Sequence, residues 1–365
     1  MSLLRIQACT FCNLNCSYCY IPASSRRAKQ IIAPEVLRQL FERLRDENLL
    51  GPSLTISWHG AEPLTAGVAF YRAAFALAEE LLGPLTKITH VFQSNGALID
   101  DAWCDLFQSA RCEVGVSLDG PRAQSSERVN WAGQAAYDQV MSGIAELNKR
   151  GIPWTLLAVV GDTNVDDPQA FCDFVQRTGC KTLGIKAEQI SIANQRGFVT
   201  AQNAPARYAR FLTTLYHQLH ETGAVTVREF STARLKHMLE DTVQKIPVTM
   251  VPFRNLTVAV NGDFTAFSGE LLFHESGQFA LGNVRDGPLL ECLTTPTFRR
   301  LGDEILRGAE KCRAGCPEYL SCGSFFIAQK FSEFGTFDVA ETQACALEFL
   351  TLKRVVQDLG VAAAP

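Results

Sequence analysis

The sequence has no long apolar run, and none of its hydrophobic stretches approaches the ~20 residues that cross a bilayer. The segment MSLLRIQACTFC at the N-terminus is too short, and has the wrong layout, for a signal peptide. Neither sign of charge dominates, since 34 Lys and Arg stand against 38 Asp and Glu. No basic cluster indicates a nucleic-acid footprint or a polybasic membrane patch. We therefore expect a cytoplasmic enzyme with no nucleic-acid or membrane partner.

The sequence also lacks low-complexity linkers and solenoid repeats. Its 365 residues, 47% of them hydrophobic, are enough for one large domain or two unequal domains. Thirteen cysteines are many for such a chain. With no export signal, disulfides explain them poorly, and metal or redox chemistry explains them better. Four cysteines lie between positions 9 and 19, and four more lie between 312 and 345.

Short apolar stretches alternate with segments of helical periodicity up to about residue 221. The predicted strands are residues 3–8, 54–58, 90–94, 113–118, 154–160 and 182–187. Pro34, Pro168 and Pro205 each stand where the first turn of a helix tolerates proline. Six β-then-α units predict an α/β fold with a parallel sheet and right-handed crossovers. Because a closed TIM barrel has eight units, we expect a partial (β/α)6 barrel, with functional groups at the C-terminal ends of its strands.

The pattern changes after about residue 245. Residues 255–260 and 263–267, joined by Asn261-Gly262, predict a β-hairpin on a type I′ turn. A cysteine-rich, loop-dominated segment follows, and a final helix is expected over residues 345–359. We therefore expect a partial barrel over residues 1–221, a helical linker over 222–249 and a small cysteine-rich α+β domain over 250–365.

Cys12, Cys16 and Cys19 have the spacing CxxxCxxC directly after the first predicted strand. Three thiolates on one tight loop can hold three irons of a [4Fe–4S] cube and leave the fourth iron open. The alternatives are a zinc knuckle, which usually has four ligands in paired CxxC spacing, and a ferredoxin loop, which needs a fourth cysteine. Cys9 could be that fourth ligand, although we favour packing at the end of the first strand.

This loop, with the aromatic Tyr18 just before the third cysteine, resembles the radical S-adenosylmethionine (SAM) superfamily. The resemblance implies that the open iron chelates the amino and carboxylate groups of SAM. Gly60-Ala61-Glu62-Pro63, after the second predicted strand, is similar to the GGEP motif of the family, with Ala61 in place of the second glycine. By resemblance, the backbone of this turn and the Glu62 side chain meet the amino group of SAM.

Two further polar motifs follow the third and fourth predicted strands. They are Gln93-Ser94-Asn95-Gly96 and Ser117-Leu118-Asp119-Gly120. The resemblance places Gln93, Asn95 and Ser117 beside the ribose and methionine parts of SAM. Arg128 could pair with the SAM carboxylate, since a planar guanidinium suits a bidentate contact. Taken singly, Asn-Gly and Asp-Gly are also ordinary turn dipeptides, but their order at consecutive strand ends favours a SAM pocket.

The second cysteine set has the spacing Cys312-x3-Cys316-x5-Cys322 and continues after a gap with Cys345. It resembles the SPASM/twitch extensions of peptide-modifying radical SAM enzymes, which implies one auxiliary [4Fe–4S] cluster with no open iron. A structural zinc site is the alternative, because four thiolates also satisfy tetrahedral zinc. The cysteines outside the two sets have no ligand spacing and are interpreted as small buried apolar residues. They are Cys104, Cys112, Cys172, Cys180 and Cys292.

Several stretches resemble anaerobic sulfatase-maturing enzymes and cyclophane-forming peptide maturases, among them HGAEPL, QSNGALIDDAWCD and VSLDGP. The C-terminal third is more similar to the cyclophane-forming group. The resemblance implies a precursor peptide as substrate, an external electron donor such as flavodoxin or ferredoxin, and a radical crosslink to an aromatic side chain. Formylglycine formation, thioether formation and a non-catalytic electron carrier are the alternatives. Glu229, Glu270 and Glu341 are candidate bases for the proton that rearomatisation releases.

Overall fold

Six parallel strands follow one another in chain order at the centre of the molecule. A computed structural model describes residues 1–239 and 251–361. Each of the six strands pairs in parallel with the next one along the chain. The strands are β1 (Leu3–Ile6), β2 (Ser53–Trp58), β3 (Lys87–Ser94), β4 (Glu113–Ser117), β5 (Trp154–Val160) and β6 (Thr182–Ala187). The predicted α/β fold with a partial barrel is confirmed, with strand bounds within three residues of those expected.

Helices connect the strands and cover the sheet with their apolar faces. In α2, for example, Pro34 is the first residue, and Leu37, Leu40, Phe41 and Leu44 are buried. The predicted helix starts at Pro168 and beside Pro205 are likewise confirmed. The helices of this part are α1 (Ala23–Arg27), α2 (Pro34–Asp46), α3 (Val68–Leu82), α4 (Asp101–Ser109), α5 (Tyr137–Lys149), α6 (Pro168–Thr178) and α7 (Ala204–Leu215).

Four more strands extend the sheet at both edges. At one edge β7 (Thr226–Val227) pairs with β6. At the other edge β8 (Asn255–Val258) lies parallel to β1, and β9 (Asp263–Thr265) and β10 (Gly282–Asn283) follow in antiparallel order. The sheet therefore continues from the barrel into the cysteine-rich region, a pairing that the sequence did not indicate.

The hairpin of β8 and β9 is confirmed, but the predicted type I′ turn is wrong. A type I′ turn needs positive φ at both central residues, whereas only Gly262 of the Asn261-Gly262 pair has one, at +90°. Gly262 N donates to Ala259 O at 2.9 Å, and Ala259 N donates to Asp263 O at 2.8 Å. The loop is thus the longer form in which a glycine in the left-handed region follows a tight turn.

Helices also dominate the C-terminal part. They are α8 (Thr232–Leu239), α9 (Pro296–Gly315), α10 (Tyr319–Cys322), α11 (Ile327–Phe334), α12 (Gln343–Cys345) and α13 (Leu352–Asp358), with a π-helical turn over Ala346–Thr351. The expected final helix is confirmed. Residues 240–250, which include the end of the predicted linker, lie outside the described residues, and the division into domains stays a prediction. Within the described ranges, no helix combines the length and the apolar character needed to cross a membrane.

Candidate active site and auxiliary cysteine site

The first cysteine loop follows β1 and is held by a buried arginine. Arg26 is 4% exposed, and its side chain donates to Ile21 O at 2.9 Å and to Leu14 O at 3.2 Å. Its backbone oxygen accepts from Cys12 N at 3.1 Å. On the other side, Trp131 Nε1 donates to Cys12 O at 2.8 Å. The loop is thus fixed by residues that its spacing did not reveal, since a lone Arg or Trp carries no sequence signal.

The three thiols of this loop lie close enough to affect one another. Cys12 is buried, and Cys16 and Cys19 are half-buried. Burial raises the pKa of Cys12, and it raises the pKa of Cys16 to about 11, while neighbouring thiols add to both shifts. A bound metal centre would supply the positive charge that deprotonates such ligands. Cys9 is different, because its Sγ donates to Glu62 O at 3.1 Å, which supports its packing role.

Glu62 ties the ends of β2 and β3 together. Its side chain has no exposure. Oε1 accepts from Leu64 N at 3.0 Å and Ser94 Oγ at 2.9 Å, and Oε2 accepts from Asn95 N at 2.6 Å. Burial raises the pKa of Glu62 to about 7, although the three donors favour the ionised form. The carboxylate therefore accepts three hydrogen bonds within the protein and fixes the turn after β2, while its contact with SAM stays a prediction.

The turn before Glu62 has an unusual backbone. Gly60 has φ +99° and Ala61 has φ +56°, a region that residues with a Cβ rarely adopt. A Cβ added at Gly60 would lie 3.2 Å from Phe273 and 3.3 Å from Gln7. This conformation gives a physical reason for glycine at both positions, and Ala61 keeps it at the cost of some strain.

Asn95 connects the end of β3 to the cysteine loop. Its Nδ2 donates to Asn13 Oδ1 at 2.7 Å and lies 3.8 Å from Cys12 Sγ, while its Oδ1 accepts from Ala97 N. Ser117 ends β4 and is half-buried. Within the described residues the side chains of Gln93 and Ser117 have no hydrogen bond to the protein. These two groups are therefore available to a ligand at the strand ends.

Arg128 forms a buried ion pair with Asp119. Nε lies 2.8 Å from Oδ2 and Nη2 lies 2.9 Å from Oδ1, and the two residues are 6% and 2% exposed. The guanidinium also lies over the ring of Tyr18, at 5.5 Å from its centroid, and the Tyr18 hydroxyl donates to Asp119. Two of the five N–H donors of Arg128 are thus used, and the others remain for a ligand.

A second polar group lies at the same end of the barrel. Tyr20, next to Cys19, forms a hydrogen bond with His59 Nε2 at 3.0 Å. Glu270 lies nearby and pairs with Lys186 at 3.1 Å and with Gln329 at 3.2 Å. Burial alone would raise the pKa of Glu270, but Lys186, His59 and Arg5 hold it below its ordinary value. Tyr20, Arg5, Lys186 and His59 were not singled out in the sequence, where each is an isolated polar residue.

The other two candidate bases lie elsewhere. Glu229 is 5% exposed, and burial raises its pKa. Its Oε1 lies 3.3 Å from Arg228, and its Oε2 has no partner within the described residues. Glu341 is exposed and lines the second cysteine cavity. The structure therefore does not bring the three glutamates into one group.

The four cysteines of the second set line one cavity between α9, α10 and α12. The empty space is about 460 Å³, part of it open to solvent, and Cys312, Cys316, Cys322 and Cys345 all face it. One zinc ion would draw four thiols to a single point, with Zn–S distances of about 2.3 Å. A [4Fe–4S] cube binds each thiol through a different iron. Four thiols that line one cavity have the donors for either group, and the resemblance of this segment to SPASM/twitch extensions favours the cluster.

Sequence comparisons give the family. The profile of the radical SAM superfamily matches residues 6–175. An uncharacterised protein from Synechocystis sp. is 31% identical over an alignment of 365 positions, which covers 97% of this chain and 91% of that protein. A serine-type anaerobic sulfatase-maturating enzyme from Bacteroides thetaiotaomicron is 35% identical over 173 residues, 46% of this chain and 42% of that enzyme.

Solved structures with a similar fold include one with bound AdoMet and one with a bound precursor peptide. The structure of native anSMEcpe with bound AdoMet has a TM-score of 0.81 at 20% identity and covers 98% of both chains. Streptococcus suis SuiB bound to the precursor peptide SuiA has a TM-score of 0.64 at 14% identity, covering 94% of this chain and 76% of that one. Both likenesses show a common fold.

The chain belongs to the radical SAM superfamily. It is therefore an enzyme, and its cofactors include SAM and a [4Fe–4S] cluster, as the resemblance implied. The cysteine loop after β1 has the donors that such a cluster needs, because three adjacent thiols hold three irons and leave one for SAM.

Proposed function

We propose that this enzyme matures a ribosomally made peptide by forming a C–C crosslink of the cyclophane type, or an ether crosslink, to an aromatic side chain. The observation that carries the proposal is that all four thiols of the second cysteine set line one cavity, so that each iron of a cluster bound there would have a thiolate ligand. Four thiolates leave no iron of an auxiliary cluster open to hold a substrate sulfur. Such a cluster is suited to accepting electrons.

The ligand assignments follow from the two cysteine sets. We assign the catalytic cluster to Cys12, Cys16 and Cys19 and the auxiliary cluster to the four cavity cysteines. When bound, these groups and SAM would supply a 5′-deoxyadenosyl radical to remove a substrate β-hydrogen, and an acceptor for the electron that rearomatisation releases. The peptide then loses two hydrogens per ring, one to 5′-deoxyadenosine and the other as a proton and an electron.

The chain contributes the SAM pocket and the base. The pocket is shaped by Tyr18, Gly60, Ala61, Glu62 and Asn95. The polar groups that remain to bind SAM are those of Gln93, Ser117 and Arg128. We assign to Glu270 the role of the base that accepts the proton released on rearomatisation. It is the candidate glutamate that lies beside Tyr20 and His59, next to the cysteine loop. Side-chain exposure of 35% for Glu270 and 48% for Lys186 leaves room for a substrate to approach the pair.

Formylglycine formation on a sulfatase is the second candidate. The identity to a sulfatase-maturating enzyme over 46% of the chain favours it. A non-catalytic electron carrier explains the strand-end residues poorly, since a carrier needs no SAM pocket. An external donor such as flavodoxin or ferredoxin would supply the first electron.

Co-expression with the precursor peptide of a neighbouring gene tests the proposal. Tandem mass spectrometry should show a peptide lighter by two hydrogens per ring, and changing the crosslinked aromatic residue to Ala should prevent the loss. Joint replacement of Cys12, Cys16 and Cys19 by Ala should leave the peptide unmodified, halve a total of about eight irons and abolish 5′-deoxyadenosine. Cys172→Ala, a buried cysteine of α6, is the control. A product that needs a substrate cysteine, or survives removal of every aromatic residue, would contradict the crosslink.

A further inference from the structure

A lysine is buried in the wall of the auxiliary cavity. Lys330 on α11 is 3% exposed, and its Nζ donates to Gly308 O at 2.9 Å, to Ser324 Oγ at 2.9 Å and to Cys312 Sγ at 3.3 Å. These three bonds use all of its donor hydrogens. The surroundings are tight, since a Cβ at Gly308 would lie 1.9 Å from Phe337 O. The amine is therefore held against one particular thiol.

No carboxylate pairs with Lys330 anywhere in residues 1–239 and 251–361. The contrast with Lys353 is informative, because that lysine is also buried but pairs with Glu318. A buried ammonium without a counter-charge is strongly unfavourable. Cys312 is the one partner of Lys330 that becomes negative when it binds a metal. The negative charge that balances Lys330 is therefore supplied by the Cys312 thiolate and the cluster that it would bind in the cavity.

We infer that Lys330 is a positioning residue for the auxiliary cluster, which its ammonium stabilises in the reduced state through the Cys312 ligand. This inference rests on the proposed function, in which the cluster accepts an electron. Each added electron makes a four-thiolate cluster more negative, and a fixed positive charge in a dry wall favours that change. Hydrogen bonds to cluster sulfurs act in the same direction.

The competing explanation is that Lys330 only joins α11 to α9 through Gly308. A purely structural lysine would change the stability of the protein when replaced, but it would leave the reduction potential of the cluster unchanged. The potential is therefore the measurement that separates the two roles.

The test is a redox titration followed by electron paramagnetic resonance on the reconstituted enzyme. Lys330→Gln and Lys330→Met should shift the midpoint potential of the auxiliary cluster to more negative values, and Lys330→Arg should keep it near the wild-type value. Lys311→Gln is the matched control. Lys311 neighbours Cys312 in sequence, but its side chain is 55% exposed, so water screens its charge and the potential should stay unchanged.

Iron and zinc analysis precedes the titration and separates the possible failures. If Lys330→Gln loses about four irons while Lys330→Arg keeps them, the charge is needed even to retain the cluster, which supports the inference. If the Gln and Met variants keep about eight irons and titrate like the wild type, the inference is overturned. Wild-type protein with about four irons and one zinc would overturn the cluster assignment itself, before any potential is compared.

Discussion

The carboxylate of Glu62 accepts a hydrogen bond from Asn95 N at 2.6 Å, and the same Asn95 reaches Asn13 in the cysteine loop at 2.7 Å. A single chain of contacts therefore links the ends of β2 and β3 to the residue beside Cys12. Glu62, which the sequence predicts to meet SAM, thus also holds the turn after β2 in place. Changes at Glu62 should consequently affect both folding and SAM binding.

We expect Glu62→Gln to lower the free energy of unfolding by about 1–3 kcal/mol, because an amide nitrogen would face a buried backbone donor that loses its acceptor. SAM affinity should fall as well. Urea denaturation of the anaerobic protein and SAM titration measure the two effects. Ser94→Ala, which removes one donor and leaves both carboxylate oxygens paired, should cost less. Unchanged stability in Glu62→Gln would show that the hydrogen bonds of the Glu62 carboxylate do not stabilise the fold.

A second prediction concerns the strain at Ala61. Ala61→Gly should leave stability unchanged or raise it by up to about 1 kcal/mol, because glycine adopts φ +56° without a Cβ penalty. Ala66→Gly is the control, since Ala66 ends the short helical turn after Glu62 at an ordinary φ. There the same change should cost about 0.5–1 kcal/mol. The free energy of unfolding is measured by urea denaturation. An equal decrease for both variants would show that the backbone of Ala61 is not strained.

Local sequence patterns predicted the barrel strands well but missed contacts between distant segments. The run 154–160 is almost wholly apolar, as is typical of a parallel strand with both faces covered, so its bounds could be read directly. The pairing of Leu4 with Leu256 joins residues about 250 positions apart, and no periodicity encodes such a contact. Lys330 was missed for a similar reason, because a lone lysine in a helix normally faces water.

Arg128 illustrates the same limit within the site. The contact with SAM that the sequence predicts for Arg128 stays a prediction, and the buried pair with Asp119, from the motif that follows β4, was not indicated by the sequence. Arg128→Ala should lower stability by about 3–5 kcal/mol, because it leaves the buried Asp119 carboxylate without its counter-charge. The matched control is Arg122→Ala, whose pair with Asp138 is exposed to solvent, so that its loss should change stability far less. Similar losses for both variants in thermal or urea denaturation would count against a buried pair.

A fourth prediction is a pH dependence from His90. Burial lowers its pKa to about 4, and its ring stacks on Phe75 while Nδ1 accepts from Trp58 Nε1 at 3.3 Å. Between pH 6.5 and 4 the unfolded chain binds more protons than the folded one, so stability falls as the pH falls. From pH 6.5 to 5 the loss should be about 1.5 kcal/mol. His90→Gln should remove this contribution to the change of unfolding free energy with pH. If the pH dependence is unchanged in the variant, His90 is not its source.

The last prediction separates hydrogen abstraction from proton loss. Glu270→Gln should still form 5′-deoxyadenosine, because the change lies outside both cysteine sets. The crosslinked peptide should decrease about a hundredfold or more, since loss of a general base typically costs roughly 10²–10⁴-fold. Glu341→Gln, at the exposed cavity rim, is the control and should keep both products coupled. Chromatography of 5′-deoxyadenosine and mass spectrometry of the peptide measure the ratio in one reaction. If Glu270→Gln loses both products together, Glu270 binds the substrate and is not the base. If it keeps both, the proton leaves by another route. Glu229, whose Oε2 has no partner among the residues that the structure describes, then becomes the next residue to replace.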